Sequence, residues 1–193
     1  KMKSKLPQSD ADLAKRRSTF LRELSKESDR GLVLIAASIL EEDLEMLLRS
    51  VMRKGPGLED KVLGPLFRSD GPLGSFAGKT RIAYAMELID DVAFRDLNTI
   101  RTIRNRFAHS YEQAALTEES IRTQIMNLET GKVFEELFEK NPSVHFRFDE
   151  EGEQAVALAE GQRRIICSCI SLAAIIEGAT RAFEERQKDR YGD

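Results

Sequence analysis

Arg104-Asn105-Arg106-Phe107-Ala108-His109 gathers guanidinium, carboxamide and imidazole groups into one short run of the chain. A guanidinium stays charged at physiological pH and pairs well with phosphate, while an imidazole exchanges its proton near neutrality. Together they suit phosphate chemistry. The same side chains also suit a hydrogen-bonded polar seam that fixes how two helices or two subunits meet.

The run closes a segment, 92–109, whose apolar residues recur at helical spacing. At about 100° per residue, Phe94, Leu97, Ile100, Ile103 and Phe107 form one stripe, which predicts a buried helix. Opposite it lie Asn98, Thr102, Asn105 and His109, where a plain solvent face would carry Lys and Glu. That substitution predicts a site or a buried polar interface. Asn105 and His109 share a side, one turn apart. Arg104 sits on the flank of the stripe, so one helix cannot easily aim Arg104 and His109 at the same atom. Two copies crossing at a twofold axis can, and a composite site therefore predicts a homodimer. Glu41 and Glu45, one turn apart in an earlier helix, are candidates to orient Arg104. As ordinary flank carboxylates, Glu45 would instead face Arg49.

The elements that must position this run are helical throughout. Residues 1–26 read as a basic helical extension and 27–190 as one domain, with no internal repeat or low-complexity stretch. Ser28 or Asp29 caps a helix that stops at Gly55-Pro56-Gly57. Val33, Ala36, Ala37, Leu40, Leu44, Leu47, Leu48 and Val51 share one face of it, and Leu34 and Ile35 add apolar surface on the other. A helix apolar all round must be covered on both sides, by neighbouring helices or by a second subunit. Residues 55–74 read as a structured loop. Ser75 caps a helix to about residue 90, with Phe76, Ile82, Ala83, Met86 and Ile89 as its apolar positions. Thr117 caps a shorter helix carrying Ile121, Ile125 and Leu128, and 133–138 read as another. Val144, Phe146 and Phe148 alternate with polar residues after Pro142, which predicts a short extended segment with His145 on its surface. A long helix over 153–190 ends the pattern. The fold class is all-α: a bundle of about four main helices plus short accessory ones.

Composition narrows the function classes. The chain has 193 residues, 41% hydrophobic and 33% charged, which is ordinary for a soluble domain. The longest apolar run, residues 32–40, is stopped by Glu41 and is too short for a membrane span, and the basic start lacks the apolar segment of a signal peptide. A net charge of −3 argues against a dedicated DNA-binding domain, and no basic helix-turn-helix is found. Lys15, Arg16 and Arg17, and later Arg95, Arg101, Arg104 and Arg106, are local basic clusters that suit either a polyanion or plain solvation. Cys167 and Cys169 cannot ligate a metal together on a helix and read as reduced buried thiols, which suits the cytosol. Neither a metal nor a cofactor is implied. Gly78-Lys79-Thr80 imitates the end of a phosphate-binding loop, but the glycine required five positions earlier is Leu73, so it is a decoy.

Glu27-Ser28-Asp29-Arg30-Gly31, Gly71-Pro72-Leu73-Gly74-Ser75-Phe76 and residues 100–109 appear in the order found in the mannitol-operon repressor (MltR-like) family, which this chain resembles over roughly 20–130. The Arg104-Asn105…His109 spacing resembles the HEPN superfamily of dimerising helical bundles, and Tyr111 extends that likeness. The first resemblance implies a cytoplasmic negative regulator of transcription, a homodimer acting through a protein partner without a DNA-reading motif. The second implies a metal-independent endoribonuclease or toxin in which Arg104, Asn105, His109 and Tyr111 meet at a dimer interface, with RNA as substrate and a separate antitoxin chain as partner. A third reading is a satisfied core histidine beside a solvated arginine.

Overall fold

The structure is a computed structural model and describes residues 24, 26–53, 55, 57–109, 114–132, 136 and 159–191. Helix α1, Asp29–Val51, begins where Ser28 Oγ accepts the Gly31 N–H at 3.1 Å, satisfying an amide the helix leaves unpaired. Leu32, Ala36, Leu40, Leu44, Leu47 and Leu48 line its buried side. A fully buried leucine contributes roughly 2 kcal/mol, whereas propensity differences are a few tenths per residue, so packing sets this helix.

After α1 the chain makes a wide turn at Glu59–Leu63, closed by the Gly64 N–H on the Glu59 carbonyl, and runs into the short helix α2, Gly64–Phe67. The sequence reading had only a loop here. Pro65, in the first turn of α2, needs no amide partner there and so starts a helix. The following bend is tight: Leu73 N–H donates to the Leu66 carbonyl at 2.9 Å and Gly74 N–H to the Gly71 carbonyl at 3.0 Å. A Cβ on Gly71 would collide with the Pro65 and Leu66 carbonyl oxygens, and one on Gly74 with that of Arg68. This close approach lets Leu73 and Phe76 enter the core.

Helix α3, Phe76–Ala85, starts at the expected cap, Ser75 Oγ accepting from Gly78 N–H at 3.1 Å. It ends five residues short of the expected stop. Glu87 takes a left-handed φ of 56°, Leu88 N–H reaches back to the Ala83 carbonyl at 2.9 Å, and Glu87 N–H reaches the Tyr84 carbonyl at 2.9 Å. That paired reversal closes a helix C-terminus, usually with glycine in the left-handed position. It leaves Ile82 and Met86 exposed, against expectation, while Ile89 still enters the core beyond the helix end.

Helix α4, Asp91–His109, is started by Asp90, whose Oδ1 accepts the Ala93 N–H at 2.8 Å. Leu97, Ile100, Ile103 and Phe107 are buried as the stripe requires, but Phe94 is only partly covered, and Ala93 and Asp96 join the buried side. Helix α5, Glu119–Met126, is led in by Glu118 rather than Thr117; Ile121, Ile125 and Leu128 are buried as expected. Helix α6, Glu160–Tyr191, is the described part of the long helix expected over 153–190, whose first residues, 153–158, lie outside the described ones. Most of the expected helical extension over 1–26, most of the helix over 133–138, and the extended segment with His145 lie outside the described residues.

The core sits where α1 meets α6, with α4 and α3 against other sides of α1 and α5 across α4 and α6. Both α1 and α6 start at the same end: Asp29 Oδ1 accepts from Gln162 Nε2 at 3.0 Å, and its Oδ2 accepts the Leu116 N–H at 3.0 Å. By length and composition α6 could cross a membrane, which the search for uninterrupted apolar runs missed. In this fold half of its most apolar stretch is buried against the other helices. The described residues form an all-α bundle without strands.

Candidate functional site

Three anchors hold α4 before its polar side is considered. Inward, buried Asp96 accepts from Thr130 N–H at 2.8 Å, Thr130 Oγ1 at 2.6 Å and Glu129 N–H at 3.2 Å, clamping the start of the helical segment 129–132 onto α4. Sequence reasoning missed it, although an aspartate inside the apolar stripe was the available signal. Toward α5, Arg106 donates to Ser120 Oγ at 2.7 Å and to Glu118 Oε2 at 2.6 Å, so this arginine is consumed in packing. Toward α3, the Phe94 ring stacks on Tyr84 at 4.3 Å between centroids. Tyr84 O–H donates to Asp91 Oδ1 at 2.6 Å; that bond and the Asp91 charge raise the phenol pKa above its ordinary value of 10.0.

The polar side of α4 is not a buried seam within the subunit. Thr102 and His109 are exposed, and Asn98 and Asn105 are partly so. Their hydrogen bonds stay on the helix: Asn98 Nδ2 donates to the Phe94 carbonyl at 2.8 Å and Thr102 Oγ1 to the Asn98 carbonyl at 2.9 Å. Short polar side chains can satisfy themselves this way, which is why an open face resembled an interior one.

Of the four candidate residues, the structure brings two together. Arg104 Nη1 donates to Asn105 Oδ1 at 3.1 Å. His109 ends the helix in solvent, with neither hydrogen bond nor ion pair to Arg104. Tyr111 lies outside the described residues. Arg101, on the same side as Asn105, is partly covered, and its Nε is buried without a hydrogen-bond partner. Neither Arg101 nor Arg104 has a carboxylate within ion-pair distance among the described residues, whereas Arg95, Arg106 and Arg122 each have one.

Glu41 and Glu45 do not serve Arg104. Both reach Lys79 of α3, at 3.2 and 3.1 Å, and Glu45 also accepts from Arg49 Nε at 2.9 Å, as the flank reading required. Arg49 continues to Glu59 at 2.7 Å and lies over the Phe67 ring at 4.2 Å from the centroid. The lysine of the false phosphate loop is thus buried as a brace between α3 and α1. Cys167 and Cys169 are buried and not joined in a disulfide; burial first, then Cys167 and Asp43, push the Cys169 thiol far up, which disfavours the thiolate. Among the described residues no acidic, histidine or cysteine cluster is arranged to hold a metal. What the α4 face can do is present two uncompensated guanidinium groups, a carboxamide and an imidazole to an anionic group.

Comparison with known proteins points in one direction. The family model described as "MtlR: Mannitol repressor" matches residues 18–177. The mannitol operon repressors of Escherichia coli K12 and of E. coli O6:H1 strain CFT073 are each 25% identical over 92 residues, 48% of this chain. The chain spans about half the length of these curated relatives, 47%. Among solved structures, the E. coli MtlR–HPr complex aligns with a TM-score of 0.61 at 19% identity, covering 84% of this chain and 99% of that one. A possible transcriptional regulator, YggD, of Shigella flexneri 2a aligns with a TM-score of 0.59 at 15% identity, covering 86% and 98%. At these identities the structures speak for the fold.

Proposed function

The chain belongs to the mannitol repressor family, and on that premise we propose that it is a cytoplasmic negative regulator of a sugar-uptake operon. In this reading it acts as a homodimer through a protein partner, without a DNA-reading motif. The observation that carries the reading is the family match over residues 18–177. The absence of a paired nucleophile and base among the described side chains of α4 agrees with it. The E. coli relative of like fold was solved with HPr, so an HPr-type protein is the first partner to try. The outer side of α1, where Ile35 remains 37% exposed, offers apolar surface for the second copy. The test measures the operon transcript in cells lacking the gene, together with binding of the purified chain to HPr of the same organism. A raised transcript and a stoichiometric complex are expected; an unchanged transcript and no complex would sink the reading.

A second reading is favoured by one observation, the Arg104–Asn105 hydrogen bond on the open side of α4 with His109 one turn beyond. Here two copies form a HEPN-type endoribonuclease: a 2′-hydroxyl attacks the adjacent phosphate to give a 2′,3′-cyclic phosphate as the P–O5′ bond breaks, His109 moves the proton from the 2′-hydroxyl to the departing 5′-oxygen, Arg104 stabilises the developing charge, Asn105 positions the phosphate, and Tyr111 donates to it. Incubation with total RNA and tRNA in chelator should then give cleavage that His109→Ala abolishes while the dimer persists. Intact RNA, or undiminished cleavage by His109→Ala, rules it out.

A further inference from the structure

We propose that one continuous face of α4 and α3, formed by Tyr84, Phe94, Asn98, Arg101, Arg104 and Asn105, is a docking surface for an acidic patch on a folded partner protein. The inference rests on the protein-partner reading above and assigns it a place. Phe94, Asn98, Arg101 and Asn105 follow one another at spacings of four, three and four, so they share one side of α4. Tyr84, 39% exposed and stacked on Phe94 at 4.3 Å, carries that side across to α3. The result is an aromatic pair beside two arginines, the residue types that anchor protein interfaces.

Charge selects the occupant. On a chain of net charge −3, this is a place where two guanidinium groups lie on adjacent turns without carboxylate partners among the described residues. Arg101 already has its Nε buried and unbonded, a cost that its outer nitrogens can offset only against something from outside. The face is also set in advance: Tyr84 is tied to Asp91, Asn98 to the Phe94 carbonyl and Arg104 to Asn105, so little side-chain freedom remains to be lost on binding. A second copy meeting this face across a twofold axis would press the same cations against each other. A nucleic-acid backbone needs a longer run of cations, and here Asp90, Asp91 and Glu87 border the aromatic end, all exposed. A compact carboxylate cluster fits the arginine half, and uncharged surface beside it on the same partner fits the aromatic half.

The test places a photo-crosslinking phenylalanine at Thr102, on the rim of the face, and separately at Ser38, on the exposed side of α1, in the full-length chain in its native host. At Thr102 we expect an adduct with another protein, mapped to a peptide rich in Asp and Glu. Its yield should fall roughly tenfold or more in Arg101→Gln/Arg104→Gln and again at high salt. Circular dichroism confirms that the double variant is folded, and if it is not, the salt dependence of the unsubstituted arginines decides. An adduct with a different protein at Ser38 but not at Thr102 overturns the docking surface and leaves the partner reading standing. No adduct with a different protein at either position sinks both. A second copy of the chain or RNA captured at Thr102, or an adduct indifferent to charge and salt, overturns the proposal.

Discussion

Lys79 and Arg104 are both cations that short sequence patterns offered as phosphate ligands, and the fold treats them in opposite ways. Lys79 is enclosed between α3 and α1 with two carboxylates, in a chain that runs on through Arg49 to Glu59. Arg104 stays partly exposed and, among the described residues, has only a neutral amide for company. A buried cation must be answered from within, because the desolvation it suffers has no other remedy; a surface cation can wait for a partner from outside. Chemistry-bearing residue types therefore say little until their counter-charges are located.

The contrast can be broken in several ways. Lys79→Ala takes the shared cation from Glu41 and Glu45, leaving Glu45 with Arg49 alone, and because both carboxylates are partly exposed it should cost about 2.5 kcal/mol in urea unfolding. A loss below about 0.5 kcal/mol would mean the enclosure is not a brace. Asp96→Ala, which strands the Glu129 and Thr130 amides, should cost about 2 kcal/mol by the same measurement. Glu87→Gly, relieving a left-handed backbone, should gain about 0.5 kcal/mol, seen as a raised thermal midpoint. Arg104→Ala should change stability by no more than about 0.5 kcal/mol, since it breaks a partly exposed bond and no ion pair; a larger loss would place Arg104 with Lys79 after all.

Tyr84 sharpens the comparison through pH. Its phenol titrates above the ordinary 10.0 because it donates to Asp91, so any stabilisation is whole below pH 10 and is lost as pH rises through the elevated folded value. Ultraviolet titration of the phenolate should show one tyrosine ionising late, and Tyr84→Phe should remove that step and flatten the alkaline fall of the thermal midpoint.

Much of this was legible from spacing. The buried side of α1 repeats leucine and alanine so regularly that only a helix can bury it, and Ser28 and Ser75 announced their caps. Other features had weaker local signs. Nothing about Glu87 marks it as a left-handed residue; the reversal follows from Leu88 turning inward onto Ala83. The glycines at 71 and 74 were visible as a motif, while the carbonyl oxygens that demand them come from residues several positions away. The α4 face reads as a site or a buried polar interface because it lacks Lys and Glu, and within the subunit Asn98 and Thr102 bond their own helix.

The shared starting end of α1 and α6 bears on how the protein is made. Asp29 holds Gln162 across a separation of 133 positions, and the principal packing of α1 is against the last described helix. A ribosome must therefore release the chain beyond Gln162 before the leucines of α1 find their main cover. Until then the nascent chain shows a long greasy helix to the cell, which makes chaperone capture and late, all-at-once closure the natural course of its synthesis.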